Sequence, residues 1–295
     1  MNLAGVYALV ILAAFFGGAN IVLANFVLAD FSPQWTAALR FGLAALILLG
    51  IAIGQKAPLR LLIGQHLTGY LTLGLVGIAG FNLLFFFAMT STTIDNAALI
   101  MATNPLMTTI LAGLVLREHP GWQRLIALPV ALVGVAVVIT HGNLTHLLSQ
   151  HIVLGDWLMI AGNLCWAVYN VLNRRLLPTG ISPIANTALI VTAGALILII
   201  IAAFDPTGMR HAPNSTALLA LTGIILGGTV LFYLFWTIGI ARLGAGRTAL
   251  FLNLVPVFAM LTAITVGVRP TSMQLLGGAI VFGATLISMI PNRKT

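Results

Sequence analysis

Ten runs of roughly twenty apolar residues, separated by turn signals, fill almost the whole of this chain. They cover residues 3–28, 34–53, 67–89, 96–116, 122–140, 153–173, 184–204, 217–240, 247–268 and 273–290. Ser32-Pro33, Ala57-Pro58, His119-Pro120, Ser182-Pro183, Asp205-Pro206 and Arg269-Pro270 all fall between runs, where proline interrupts no helix. A continuous apolar run of this length satisfies its backbone in lipid only as a helix. The expected fold is therefore all-α, a polytopic membrane protein of ten transmembrane helices. Charged residues make up only 6% of the chain, against about 25% in soluble domains. No water-facing surface of a soluble fold can be built from so few, and the lipid bilayer is the expected surrounding.

The formal net charge of +8 raises nucleic acid as a partner, but the bases form no phosphate-tracking cluster, so no nucleic-acid binding is expected. They follow membrane orientation instead. Lys56, Arg60, Arg117, Arg124, Arg174, Arg175, Arg242, Arg247, Arg293 and Lys294, ten of the 13, lie at one set of alternate span ends. The other set holds Asp30, Asp95, Asp156 and Asp205, with only Arg210 and Arg269 as bases. The positive-inside rule places both termini in the cytoplasm, and the expected location is the bacterial inner membrane. The first span has no basic region before it and no cleavage site after a short core, so it reads as a retained helix. Arg40 lies about 9 Å inside span 2. The usual fate of such a side chain is to snorkel to the external surface; pairing with an external aspartate or a substrate carboxylate is the rival.

The two halves repeat. Asn20 and Asn170 are 150 residues apart, as are Ser32-Pro33 and Ser182-Pro183. Ala98-Leu99 and Ala249-Leu250, Asn104-Pro105 and Val255-Pro256, and Gln123 and Gln274 are 151 apart. Residues 1–145 and 152–295 thus each carry five spans. Because five is odd, the second half must enter the membrane from the opposite side. Two inverted repeats with a site near the midplane are the build of secondary transporters.

Most spans hold little polar chemistry mid-membrane; the exceptions are amides and rings. Asn20 lies on span 1, Phe81, Asn82 and Phe85 on span 3, Tyr233 and Trp236 on span 8, and Asn253 on span 9. Trp166, Tyr169, Asn170 and Asn173 on span 6 follow i, i+3, i+4, i+7 spacing and form one stripe. Amides can meet an ammonium or a carboxylate without carrying charge, and rings can stack on apolar side chains. The bland rival is helix packing, since membrane asparagines commonly bond only a neighbouring helix. Phe85 and Trp236, 151 apart, are expected to face each other across the repeat axis. Trp35, Trp122 and Trp157 stand at span ends and read as an interfacial belt. Pro105 and Pro256 sit at matched positions inside spans 4 and 9 and are candidate hinge or gate residues.

The order of these motifs resembles the EamA-type, ten-helix drug/metabolite transporters. The segment from Cys165-Trp166-Ala167 to Asn173-Arg174-Arg175 looks like the family's sixth-helix signature, and Phe16-Gly17-Gly18-Ala19-Asn20 like its first-helix version, with Phe16 where tryptophan is common. Arg40-Phe41 and the stretch 98–105 also fit. Within the superfamily the chain looks most like the YddG-type amino-acid exporters. The resemblance implies amino-acid export, aromatic substrates prominently, through a cavity lined by helices 1, 3, 4, 6, 8 and 9, which adds Met101 to the candidate substrate-binding residues. One departure stands out. Many members carry a Gly-Glu pair after both the fourth and ninth helices, whereas here Glu118 follows span 4 but Arg269 stands after span 9.

The five carboxylates all fall at span ends or in loops. Without an intramembrane acid, the proton exchange used by small multidrug exporters lacks its carrier. Without a mid-membrane lysine, phosphate-bearing substrates lack a counter-charge. A neutral or zwitterionic small molecule fits, exported by facilitated alternating access. Another metabolite or drug exporter, proton-coupled or not, is the rival. An enzyme is not expected, because no histidine or acid lies mid-span. No cofactor and no metal is expected either; His141, His146 and His151 repeat every five residues, which puts them on no common helical face. A monomer fits, and the sequence does not set the oligomeric state.

Overall fold

A computed structural model describes residues 2–89, 91–92, 94–140, 142–143, 152–206, 208 and 212–290, excepting the side chains of 86 and 94–96. Among the described residues the chain forms ten helical rods. These are α1 Leu3–Leu28, α2 Pro33–Gly54, α3 Leu59–Met89, α4 (Ile94–Ala102 and Asn104–Leu116), α5 Trp122–Thr140, α6 Leu154–Leu176, α7 Pro183–Ala203, α8 Ser215–Leu243, α9 Ala245–Ile264 and α10 Ser272–Met289. His141, His146, His151, Arg210, Arg293 and Lys294 lie outside the described residues.

Nine of these rods are long and apolar enough to cross a membrane. The tenth, α6, has the length, at 23 residues, but its asparagines and terminal charges keep it less apolar. Its polar face is turned inward. Asn163, Trp166, Tyr169, Asn170 and Asn173 are buried, while Leu164 and Trp157 are exposed. Lipid therefore meets an apolar surface on this helix too.

Helix starts are set by local chemistry. The Ser32 hydroxyl accepts from the Trp35 amide at 3.3 Å, with Pro33 in the first turn. Asn214 caps α8 through the Ala217 amide at 2.8 Å. Thr271 and Gln274 close a reciprocal capping box on α10. Positive φ ends several helices, as at Lys56, φ 55, just past α2. Arg117 closes α4 at φ 56, and Gly244 closes α8 at φ 87 and ψ 160, a conformation open essentially to glycine.

Span 3 begins earlier than expected. The apolar run starts at residue 67, but the helix begins at Leu59 and bends at His66, which has φ −132 and ψ 20. Polar Gln65 and His66 mark a kink there, not an end.

The packing follows the repeat. α2 lies along α7 and α5 along α10, each helix against the one about 150 residues away. Likewise α1 packs on α8 and α9, and α6 packs on α3 and α4. Small residues permit the closest crossings. A Cβ added to Gly277 would stand 2.7 Å from the Gly134 carbonyl, and one added to Gly134 would stand 3.0 Å from the Gly277 carbonyl. α5 and α10 therefore meet backbone to backbone. The repeat extends to an irregular feature. α3 turns into a π-helix over Gly74–Gly80, and α8 does so over Ile224–Leu231. π segments leave carbonyls poorly paired and often stand at functional places.

Candidate functional site

The proline at residue 105 removes one backbone donor from α4, and the helix is broken just before it, at Thr103. At the break the Ile100 carbonyl accepts from the Thr103 amide at 3.0 Å and gathers two side-chain donors as well. It accepts from the Thr103 hydroxyl at 2.6 Å and from Asn163 Nδ2 at 2.7 Å. Asn163 ties α6 to this break in a second way, since Asn104 Nδ2 donates to Asn163 Oδ1 at 2.7 Å. The Thr108 hydroxyl donates to Asn104 Oδ1 at 3.0 Å, and Asn170 Nδ2 donates to the Thr108 hydroxyl at 3.4 Å. The Trp236 indole N–H completes the chain, donating to Asn170 Oδ1 at 2.8 Å. One line of buried hydrogen bonds thus joins α8, α6 and the break in α4. Pro256 in α9 has a matching setting, following the 3-10 turn Leu250–Asn253.

Beside this line stands a cluster of rings. Trp166 lies at its centre, with centroids 5.1 Å from Phe81, 5.0 Å from Tyr169, 6.0 Å from Phe232, 5.8 Å from Tyr233 and 6.2 Å from Trp236. Phe232 and Trp236, one turn apart on α8, stack at 5.6 Å. Gly77 makes room for the Tyr169 ring, and its repeat mate Gly227 makes room for Phe16. Trp166, Tyr169 and Trp236 are almost wholly buried. Among the described residues the buried Trp166 N–H has no hydrogen-bond partner, and the buried Tyr169 hydroxyl lies beside Asn173 and Thr237.

The structure brings together Phe81, Asn82, Phe85, Trp166, Tyr169, Asn170, Tyr233 and Trp236 from α3, α6 and α8. Phe85 and Trp236 are connected through intervening rings, Phe85 to Phe81 at 6.0 Å and Phe81 to Trp166 onward. Asn82 is turned to its own helix, donating to the Ile78 carbonyl at 2.7 Å. Met101 packs with Phe85 about a small separate cluster around Ala88, Ala97 and Met159. Asn20 stands against Gly228 of α8, its Oδ1 buried and without a donor among the described residues. Asn253 sits on the 3-10 turn of α9, its Oδ1 likewise buried and without a donor among the described residues.

Arg40 corrects the snorkelling expectation. Its guanidinium turns inward and donates through Nε to the Thr229 hydroxyl at 3.2 Å and through Nη2 to the Gly228 carbonyl at 3.3 Å. It lies 4.7 Å over the Phe41 ring, and Phe41 meets Tyr233 at 5.6 Å. Phe41, Phe232, Asn104, Thr108 and Asn163 were not among the expected site residues. The i, i+4 pair Asn104–Thr108 beside a mid-span proline was the available signal.

The ends of the helices are clasped across the halves. At the base-rich end the Glu118 carboxylate accepts from the Ala245 amide at 3.3 Å, capping the start of α9. There too Arg247 reaches the Tyr7 hydroxyl at 3.5 Å, while within the second half Arg174 donates to the Ala241 carbonyl. At the acid-rich end the Ser32 hydroxyl donates to Asp205 at 2.6 Å, the Asn214 amide donates to Asp30 at 3.0 Å, and the Thr92 hydroxyl donates to Asp156. Trp122 and Trp157 are exposed as belt residues should be, whereas Trp35 is partly covered and lines an apolar groove between α2 and α7.

Known proteins resemble the chain throughout its length. The profile of the EamA-like transporter family matches residues 4–140 and again 153–290. The uncharacterized transporter YyaM of Bacillus subtilis is 36% identical over 94% of this chain and 90% of its own. A protein of Escherichia coli named a probable amino-acid metabolite efflux pump is 27% identical over 97% of this chain and 94% of its own. A solved crystal structure covering 98% of both chains superposes with a TM-score of 0.81 at 16% identity, which speaks to the fold.

Proposed function

The chain belongs to the EamA-like transporter family, and on that premise we propose that it exports neutral, zwitterionic amino acids, aromatic ones foremost, from the bacterial cytoplasm. The protein is a multi-pass membrane transporter; the substrate and the mechanism are our reading. The observation that carries it is the ring cluster around Trp166, at the junction of α3, α6 and α8. Rings in contact there can part to admit another ring between them, and neutral amides at its border can orient a zwitterion without a fixed charge. The name of the Escherichia coli relative supports the same substrate class.

In this reading residues 1–145 and 152–295 are inverted five-helix repeats, with the termini in the cytoplasm. Their matched breaks before Pro105 and Pro256 act as the hinges of alternating access. The Trp236–Asn170–Thr108–Asn104–Asn163 line carries hinge movement in α4 to the rings on α6 and α8. Asn20, Met101 and Asn253 border the pathway from α1, α4 and α9. The described carboxylates Asp30, Glu118, Asp156 and Asp205 are engaged at helix ends, so transport runs down the substrate gradient without a proton carrier.

Reconstituted protein should exchange phenylalanine or tryptophan across liposomes with no imposed pH gradient. Trp166→Ala should lower that flux by about tenfold or more while Trp166→Phe keeps most of it, in line with the roughly 1 kcal/mol of an aromatic pair. Absence of flux for every neutral amino acid would overturn the reading.

A further inference from the structure

Arg40 is a cation within a membrane span, and no carboxylate among the described residues pairs with it. It stands about 10 Å along α2 from Pro33, yet its only bonds go to a hydroxyl and a carbonyl of the α8 π segment. A guanidinium has five N–H donors, so three are left without a protein partner among the described residues. The two acidic groups of the neighbouring loops are occupied elsewhere, Asp205 by Ser32 and Asp30 by the Asn214 amide. A charge held at membrane depth without its opposite is costly and marks a functional place.

The repeat shows that the charge is not needed for the contact it makes. Gly228, whose carbonyl Arg40 holds, is 150 residues from Ile78. The Ile78 carbonyl, in the other π segment, is held by a neutral amide, Asn82 Nδ2. On α7 the position matching Arg40 is Ile190, fully apolar. A neutral donor therefore satisfies a π-segment carbonyl in one half, and a full positive charge has been placed on the equivalent carbonyl in the other. The surplus donors adjoin the ring cluster through Phe41 and Tyr233, and the unbonded Asn20 oxygen flanks the same Gly228.

We propose that Arg40 is the residue that binds the substrate's carboxylate, its free N–H groups forming charge-assisted bonds while the substrate side chain lies among the rings about Trp166. This deepens the export reading and rests on it. Asn20 Oδ1, an acceptor with no donor of its own, is placed to take the substrate's ammonium. The site then matches both ends of a zwitterion, one by charge and one by a neutral acceptor.

The test uses full-length protein in phosphatidylcholine liposomes with three probes. These are phenylalanine, phenylalaninamide, which lacks the carboxylate, and phenylpropionate, which lacks the ammonium. Wild type should move phenylalanine in preference to phenylalaninamide. Arg40→Gln removes the charge and keeps a neutral donor near the position of Nε, beside the Thr229 hydroxyl. It should raise KM for phenylalanine about 10- to 100-fold, as loss of a charged hydrogen bond does, and leave phenylalaninamide transport unchanged. Arg40→Lys should restore part of the preference. An Arg40→Gln protein with unaltered discrimination, or a wild type that moves acid and amide alike, overturns the proposal while leaving amino-acid export standing. If wild type moves phenylpropionate alone, with the same dependence on Arg40, the amino-acid reading fails and the carboxylate site stands; if it moves none of the three probes, both fail. Should Arg40→Gln fail to fold, competition on wild type decides. Phenylpropionate must inhibit phenylalanine flux and phenylpropionamide must not; equal inhibition by both overturns the assignment.

Discussion

The buried Trp236 indole N–H donates to Asn170 Oδ1, its one acceptor among the described residues. Asn170 therefore has a structural duty beside any duty in transport. Asn170→Leu removes the acceptor for Trp236 and the donor for Thr108 together, and should cost about 1–2 kcal/mol. The check is the unfolding temperature in detergent, where Asn170→Leu should melt several degrees below wild type. Trp166→Phe, which loses an indole N–H without a partner among the described residues, should melt close to it. Glu118 offers a second residue-scale contrast. As a cap on the Ala245 amide it should tolerate Glu118→Gln but lose about 0.5–1 kcal/mol as Glu118→Ala, again read as thermal stability. The i, i+3, i+4 stripe on span 6 identified Trp166, Tyr169 and Asn170 as inward-facing, because helical spacing alone fixes which residues share a face. What each of them bonds was not legible, because the partners Thr108 and Trp236 are about sixty residues away in sequence and depend on how α4 and α8 are placed.

At the scale of elements, the molecule depends on where helices can touch. α5 and α10 cross at Gly134 and Gly277, where any Cβ would press on backbone. Gly277→Ala has no flexible side chain to displace. It should force the pair apart and destabilise by about 1–3 kcal/mol. Gly50→Ala on α2 and Gly283→Ala on α10 meet nothing within 4 Å. They should be neutral or slightly stabilising, because alanine is the better helix former by about 1 kcal/mol. Thermal unfolding of the three variants side by side tests this; equal behaviour would contradict the crossing. The ten runs forecast the rods to within a few residues, except where polar Gln65 and His66 concealed a helix that bends. Periodicity and hydropathy report whether a segment is helical and apolar, and they do not distinguish a kink from an end. The π segments in α3 and α8 were likewise not readable, since they arise from how each helix packs and bends against its neighbours.

At the scale of the whole molecule, the charge pattern makes a claim about sidedness. With Cys165 replaced by serine, Arg269→Cys should react with a membrane-impermeant maleimide added outside intact cells, and Arg242→Cys should react only after permeabilisation. The reverse pattern would invert the proposed topology and with it the direction of export. Length, hydropathy and the alternation of basic and acidic span ends decided the membrane, the number of helices and the two-repeat plan. Those follow from the cost of unsatisfied backbone and buried charge in lipid, which act on each segment separately. The tertiary structure alone decided which rings meet at Trp166, that Asn163 closes the break before Pro105, and that Arg40 turns inward to Gly228 and not outward to water. A snorkelling arginine and an inward one have the same sequence. The choice between them depends on whether another helix offers a carbonyl and a hydroxyl within reach, and α8 does so at its π segment.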